Sequence, residues 1–409
     1  MDNRAKIQEE VKNLFKPGIP LVLNWATGVG KSYMAITLQE SLGNPKTFIC
    51  VAETSHIENW QNEYIKHGKA HLLENTTIFC YHSLHKYENS VVDLIILDEA
   101  HHFNTELRIS YLETITSKYH IFLSATLKFD ELNNIRSLYG KRISIHNVPL
   151  SKAVDLDILT EPAIHLIELT LDNSNPTESI HIKRAKPKTC MEITYKQFVS
   201  TAYSNNMELI VKCTQLEKYR YLTNIIEENK RNFMRTTQEF MKIRWLKSAN
   251  DRKKYLASLK TPYLTTITEN LSHRKYLCFC DSIEQAEVLS VNVLHSKQPA
   301  KEQRRILEAF NSGLINNLFV IGKLKEGQNI ENIQSGVITQ VDNQTRTLRQ
   351  KIGRILRNTV DPEVYILFFK NTVDETYIDT ALDGMENLTI NIIPYEVYNR
   401  PRINQNNGV

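Results

Sequence analysis

No run of about 18 apolar residues occurs in the 409-residue chain, so a membrane-spanning helix is not expected. The opening residues, Met-Asp-Asn-Arg-Ala-Lys-Ile-Gln, lack the apolar core of a secretory signal. Cytoplasmic residence is the expectation. Cysteine is scarce: six residues scattered along the chain do not make a disulfide framework. Cys278 and Cys280 stand two apart on an expected strand, but Cys-Phe-Cys is a weak metal signal, and buried thiols in a reducing compartment are the expected reading. No short internal repeat is found. What is present is ordinary globular material, 41% apolar and 23% charged, at a length that suggests two to three domains.

The net charge of +4 conceals an asymmetry. Residues 181–260 carry 18 Lys and Arg against 7 Asp and Glu, a net of +11, which leaves −7 for the remainder. A basic block in an otherwise acidic chain suggests a polyanion partner, although a solvated helical face produces the same count. The block is also aromatic, with Tyr195, Phe198, Tyr203, Tyr219, Tyr221, Phe233, Phe240, Trp245 and Tyr255.

Hydrophobic rhythm divides the chain. An opening helix over residues 2–16 would bury Ile7, Val11, Leu14 and Phe15 and end at Pro17-Gly18. Short apolar runs at 21–24, 47–51, 77–81, 93–97 and 120–123 alternate with helical stretches, the pattern of a parallel sheet covered on both faces. After about residue 145 the rhythm breaks. Residues 163–169 read as a further strand, 172–190 as a linker or hairpin, and 191–260 as helical. From 261 the alternation returns, with strands near 276–280, 291–294, 318–321, 336–340 and 363–369.

The chain is organised around Trp25-Ala26-Thr27-Gly28-Val29-Gly30-Lys31-Ser32, between the run Leu21–Asn24 and a helical stretch that stops at Gly43. A strand, a glycine loop ending in Gly-Lys-Ser and a helix form a triphosphate cradle. Gly28 and Gly30 let backbone N–H groups approach phosphate oxygens, and the helix N-terminus adds partial positive charge. Lys31 reaches the β- and γ-phosphates, and the Ser32 hydroxyl can ligate Mg²⁺. Trp25 stands where a glycine is usual, either as core filler behind the loop or as a wall against the nucleotide or the other lobe. About 67 residues after the cradle, Asp98-Glu99-Ala100-His101 follows an apolar run. There Asp98 would hold Mg²⁺, Glu99 would orient and activate the attacking water, and His101 would link the nucleotide state to the second lobe. Ser124-Ala125-Thr126 follows the next run, and its hydroxyls suit a relay of that state. Arg354 and Arg357, three apart in Gln350-Lys351-Ile352-Gly353-Arg354-Ile355-Leu356-Arg357, share a helical face and suit arginine fingers for phosphoryl transfer.

Together these segments resemble superfamily-two helicases and translocases, nearest the XPB-like, restriction-subunit-like and phage DNA helicases. In that resemblance Gln8 is the adenine-reading glutamine. Thr27, Gly28, Val29, Gly30, Lys31 and Ser32 form motif I, Asp98–His101 motif II, and Ser124 and Thr126 belong to motif III. Trp60 and Glu63 fall in the segment after motif Ia. Gly327, within Glu326-Gly327-Gln328-Asn329, lies in motif V, and Gln350, Arg354 and Arg357 lie in motif VI. Ser32 replaces the commoner Thr, and Asn329 replaces a usual Asp.

The resemblance implies an α/β fold of two RecA-like parallel-sheet lobes with an interposed basic, mainly helical segment. The expected boundaries are 1–160 for the first lobe, 161–260 for the interposed segment and 261–409 for the second lobe. It implies ATP and Mg²⁺ in the cleft between the lobes, and an ATP-dependent DNA helicase or double-strand DNA translocase. An RNA helicase, or a nucleic-acid-binding protein with a degenerate motor, is the alternative. A nuclease module with its own acidic cluster is not expected. The Asn- and Lys-rich composition fits a phage or mobile-element origin, hence the cytoplasm of an infected bacterium.

Overall fold

The computed structural model describes residues 2–183, 187, 189–204, 207–322, 330, 332–342, 345–355, 361–383, 385 and 387–399. The first sheet has six strands: β1 Leu21–Trp25, β2 Thr47–Val51, β3 Thr76–Cys80, β4 Val91–Leu97, β5 Thr116–Ser124 and β6 Ser144–Val148. Their order is β3-β2-β4-β5-β1-β6, with every pairing parallel. β1, β2 and the second half of β4 are buried almost throughout, because helices cover both faces. The opening helix, Asn3–Leu14, buries Ile7 and Val11 and is capped by the Asp2 side chain at the Arg4 N–H.

Strand β7, Ala163–Leu169, belongs to the second sheet rather than to the interposed segment in which its sequence position set it. Its run Ile164, Leu166, Ile167 and Leu169 is buried between two parallel neighbours, a requirement that only the other sheet meets. The interposed chain then forms β8 Glu178–Ile182, β9 Thr189–Thr194 and β10 Met207–Cys213, a small sheet ordered β8-β10-β9. This corrects the helical reading of 191–260 over its first part only. Leu209, Val211 and Cys213 are buried at every second residue, the period of two of a strand with one covered face. The helical expectation holds further on. Helices Gln215–Thr236 and Glu239–Leu259 form an antiparallel hairpin, the first opened by a Thr214/Glu217 capping box and closed by Thr237 at φ 53°.

The second sheet is completed by β11 Tyr276–Cys280, β12 Val293–Leu294, β13 Asn317–Ile321, β14 Ser335–Ile338, β15 Glu363–Phe369 and β16 Ile390–Pro394. Its order is β12-β13-β11-β14-β15-β7-β16, again all parallel. Two parallel α/β sheets therefore make two lobes. The cysteines are free, and five of the six are buried. Among the described residues no helix is long and apolar enough to cross a membrane.

Candidate active site

Sheet order places the first-lobe motifs side by side. β4, β5 and β1 are neighbours, with Leu97 registered on Phe122 and Asn24 on Ser124. The acidic pair, the Ser-Ala-Thr segment and the cradle thus leave adjacent carboxyl ends, where ligands of open parallel sheets bind.

The cradle loop depends on two left-handed glycines, Gly28 at φ 93° and Gly30 at φ 105°. Gly28 also lies close to the segment joining the lobes, where a Cβ would meet Leu159 Cδ2 at 3.1 Å. Gly30 caps the helix Lys31–Ser41 without a side chain, so the first N–H groups of that helix remain available. Val29 is buried, and Thr27 and Ser32 are half-buried. The Lys31 ammonium donates to the Trp25 carbonyl at 2.9 Å and the Ala26 carbonyl at 3.4 Å. Trp25 proves to be core filler: it is 1% exposed, and its indole N–H donates to His146 Nδ1 at 2.9 Å. Gln8 is half-buried on the opening helix.

Asp98 is held on every side. Its N–H donates to the Cys50 carbonyl at 2.9 Å, and its own carbonyl accepts from the Tyr81 hydroxyl at 3.0 Å. Its carboxylate accepts from the Trp60 indole N–H at Oδ2 and from the Glu99 N–H at Oδ1, each at 2.9 Å. Glu99 adopts φ 45°, a left-handed conformation that is rare outside glycine. Its Oε2 lies 3.5 Å from His101 Nδ1. Burial pushes the Tyr81 phenol well above its ordinary pKa, so it remains a neutral donor. Ser124 is buried and its hydroxyl accepts from the Thr126 N–H at 3.3 Å.

Two contributors were not recognised in the sequence. Asn24 donates to Asn147 Oδ1 at 3.0 Å and accepts the Leu127 N–H at 3.1 Å, tying β1 to the loop beyond Thr126. The signal is an amide inside an otherwise apolar buried strand. Trp60 was noted only for its family segment, and its bond to Asp98 spans 38 residues.

In the second lobe the helix Thr345–Ile355 presents two faces. Arg349 and Gly353, with Met385, face Ala26, Thr27 and Ala125 of the first lobe across a cavity of about 30 Å³. A Cβ on Gly353 would stand 2.7 Å from the Cβ of Thr27, so the helix meets the cradle loop at its one residue without a side chain. Gln350 and Arg354 instead line a cleft of about 290 Å³ formed by second-lobe and hairpin residues, among them Lys253, Asp281 and Lys351. Burial lowers the Lys351 pKa to about 8. Gly327 and Arg357 lie outside the described residues.

The donor set fits Mg²⁺. This ion takes one or two protein oxygens and completes its shell with phosphates and water, as a Ser32 hydroxyl and an Asp98 carboxylate beside a phosphate cradle allow. Among the described residues no group of three or more His, Cys, Asp or Glu could hold a metal alone.

Comparison with known proteins agrees with this geometry. Residues 3–129 match the family model "Type III restriction enzyme, res subunit", and residues 259–359 match "Helicase conserved C-terminal domain". No curated protein matches the chain. Solved structures of similar fold include the Pyrococcus furiosus Hef helicase domain. That match has 13% identity and a TM-score of 0.50, and covers 93% of this chain and 97% of the other. Saccharomyces cerevisiae Dbp5 bound to RNA and ADP BeF3 is similar at 10% identity and a TM-score of 0.59, covering 96% and 90%. With two parallel-sheet lobes and matching models on each, the chain belongs to the superfamily-two helicases, ATP-hydrolysing motors that act on nucleic acid.

Proposed function

We propose that this motor acts on DNA, as an ATP-dependent helicase or double-strand translocase. The observation that carries the ATP-dependent part of the reading is the meeting of the two lobes at Thr27 and Gly353, which sets the arginine helix beside the cradle. ATP phosphates would replace the Trp25 and Ala26 carbonyls as partners of Lys31, because charged oxygens are stronger acceptors than neutral ones. The N–H groups of Gly28, Val29 and Gly30 would cradle the phosphates, with Thr27 beside them and Gln8 reading the base. Ser32 and Asp98 would hold Mg²⁺, which when bound supplies charge neutralisation on the β- and γ-oxygens. Glu99 would take the proton of the attacking water. Arg354 and Arg357, together with Gln350, would neutralise charge developing on the transferred phosphoryl group, and His101, Ser124 and Thr126 would relay the nucleotide state. Gly327 would sit on the nucleotide side of the second lobe.

DNA is favoured by the match over residues 3–129 to a restriction-enzyme subunit and by the segment around Trp60 and Glu63. RNA is the second reading, favoured by the likeness to Dbp5, which was solved bound to RNA. The basic helical hairpin is the candidate for additional strand grip. Steady-state ATP turnover with single-stranded DNA, duplex DNA and RNA separates the readings. Stimulation by duplex DNA above RNA is expected, and stimulation by RNA alone would assign the motor to RNA. No stimulation by any of the three, with turnover absent, would mean a degenerate motor.

A further inference from the structure

Each polar group of Asp98 has a partner, and of the side chains that supply one, the farthest along the chain is a tryptophan. Trp60 lies on the helix Ser55–Lys66 that follows β2, 3% exposed, within the core cluster that holds Met34 and Ala35 of the cradle helix. A purely apolar plug at that place needs no N–H. A buried indole N–H needs an acceptor, and a backbone carbonyl would serve. Here the N–H is directed at the Asp98 carboxylate, 2.9 Å from Oδ2, while the Glu99 N–H takes Oδ1 at the same distance. One donor on each oxygen fixes the carboxylate plane. Each oxygen keeps acceptor capacity, because an ionised carboxylate offers about four lone-pair sites. Tyr81 and Cys50 hold the Asp98 backbone, leaving side-chain rotation as the remaining freedom, and Trp60 removes it.

We infer that Trp60 is a positioning residue for the nucleotide-bound metal: its indole N–H holds the Asp98 carboxylate in the orientation that ligates Mg²⁺. The inference rests on the reading of Asp98 as a metal ligand. Partners that orient a ligand commonly contribute about 10- to 100-fold in metal affinity. Removal of the N–H should therefore weaken metal binding without harming the nucleotide cradle.

The test is binding of Mn²⁺ to the full chain with ADP, followed by electron paramagnetic resonance, for wild type, Trp60→Phe and Asp98→Asn. ADP affinity in EDTA and thermal melting are measured on the same proteins. Should Trp60→Phe not fold, β-(3-benzothienyl)alanine at position 60 keeps the ring shape without the N–H. The expected result is an increase of about tenfold in half-saturating Mn²⁺ for the Trp60 variant, with metal-free ADP affinity unchanged. The Mg²⁺ dependence of ATP turnover should shift by the same factor, with kcat largely regained at high Mg²⁺. Wild-type Mn²⁺ affinity in the Trp60 variant, with loss in Asp98→Asn, overturns the inference and leaves Asp98 as ligand. Wild-type affinity in Asp98→Asn overturns both. Metal-free ADP affinity falling in parallel with Mn²⁺ affinity would make Trp60 a packing residue only.

Discussion

Glu99 combines a left-handed backbone with the side chain expected to activate water. Such strain costs about 1–3 kcal/mol and persists only where neighbours enforce it, here the Asp98 carboxylate on the Glu99 N–H. Glu99→Gln keeps the shape and removes the base. Turnover should fall about 10²- to 10⁴-fold while ATP still binds, as measured by steady-state kinetics and by binding of a fluorescent nucleotide. Full-rate hydrolysis by that variant would remove Glu99 from the chemistry. Lys351, one residue along from Gln350, offers a second test. Burial depresses its pKa to about 8; Asp342, Asp281 and Cys278 oppose the shift and Lys253 adds to it. Below pH 8 the ammonium is charged in folded and unfolded chains alike, and the burial penalty is fully present. Between pH 8 and the ordinary lysine value the folded chain sheds its proton first, so the native state gains relative stability as pH rises. The charge beside Arg354 is lost in the same window. ATP turnover should therefore show an alkaline limb near pH 8 that Lys351→Arg removes, since arginine remains charged.

At the scale of elements, the helical hairpin explains why a basic block interrupts an α/β chain. Arg231, Arg235, Arg244 and Lys247 are exposed, and Met234, Phe240, Ile243 and Leu246 are exposed among them. Stacking of Phe233 on Trp245, with centroids 5.9 Å apart, ties the two helices near their turn. If the hairpin grips a strand, changing these four cations to Gln should weaken duplex binding. It should also flatten the plot of log affinity against log salt by about 0.9 for each lost phosphate contact. An unchanged slope would make the hairpin a solvated face. At its base Lys260 is fully buried, paired with Asp374 at 2.7 Å and donating to the Thr339 carbonyl at 2.9 Å. Lys260→Met leaves Asp374 uncompensated and should cost about 3–5 kcal/mol of stability, read by denaturant unfolding. Most strands of both lobes were legible because continuous apolar runs declare a sheet buried on both faces, whereas the half-exposed edge strands β6 and β16 carry no such run and were not. β10 was missed because its period of two is carried by only three residues, Leu209, Val211 and Cys213, and the apolar Ile210 between them blurs the alternation.

For the whole molecule, the question is how two lobes share one reaction. The residue types of the cleft were legible, since the first-lobe motifs each follow a strand and the two arginines share a helical spacing. Their mutual placement was not. Spacing along the chain does not reveal that β4 and β1 flank β5, that Trp60 reaches Asp98, or that Gly353 rather than Arg354 touches the cradle loop. The Gly353 contact leaves no room for a methyl group, since a Cβ there would stand 2.7 Å from the Cβ of Thr27 and one side would have to move. Gly353→Ala should reduce ATP turnover at least tenfold while ATP affinity, which the proposal assigns to the first-lobe cradle, changes much less. The most direct measurement is ATP turnover of wild type and Arg354→Ala, each with and without duplex DNA. A cleft completed by the second lobe predicts DNA-stimulated turnover in wild type and a loss of about 10³-fold or more in Arg354→Ala, with ATP still bound. Wild-type turnover by Arg354→Ala would contradict the account, because hydrolysis would then need the first lobe alone.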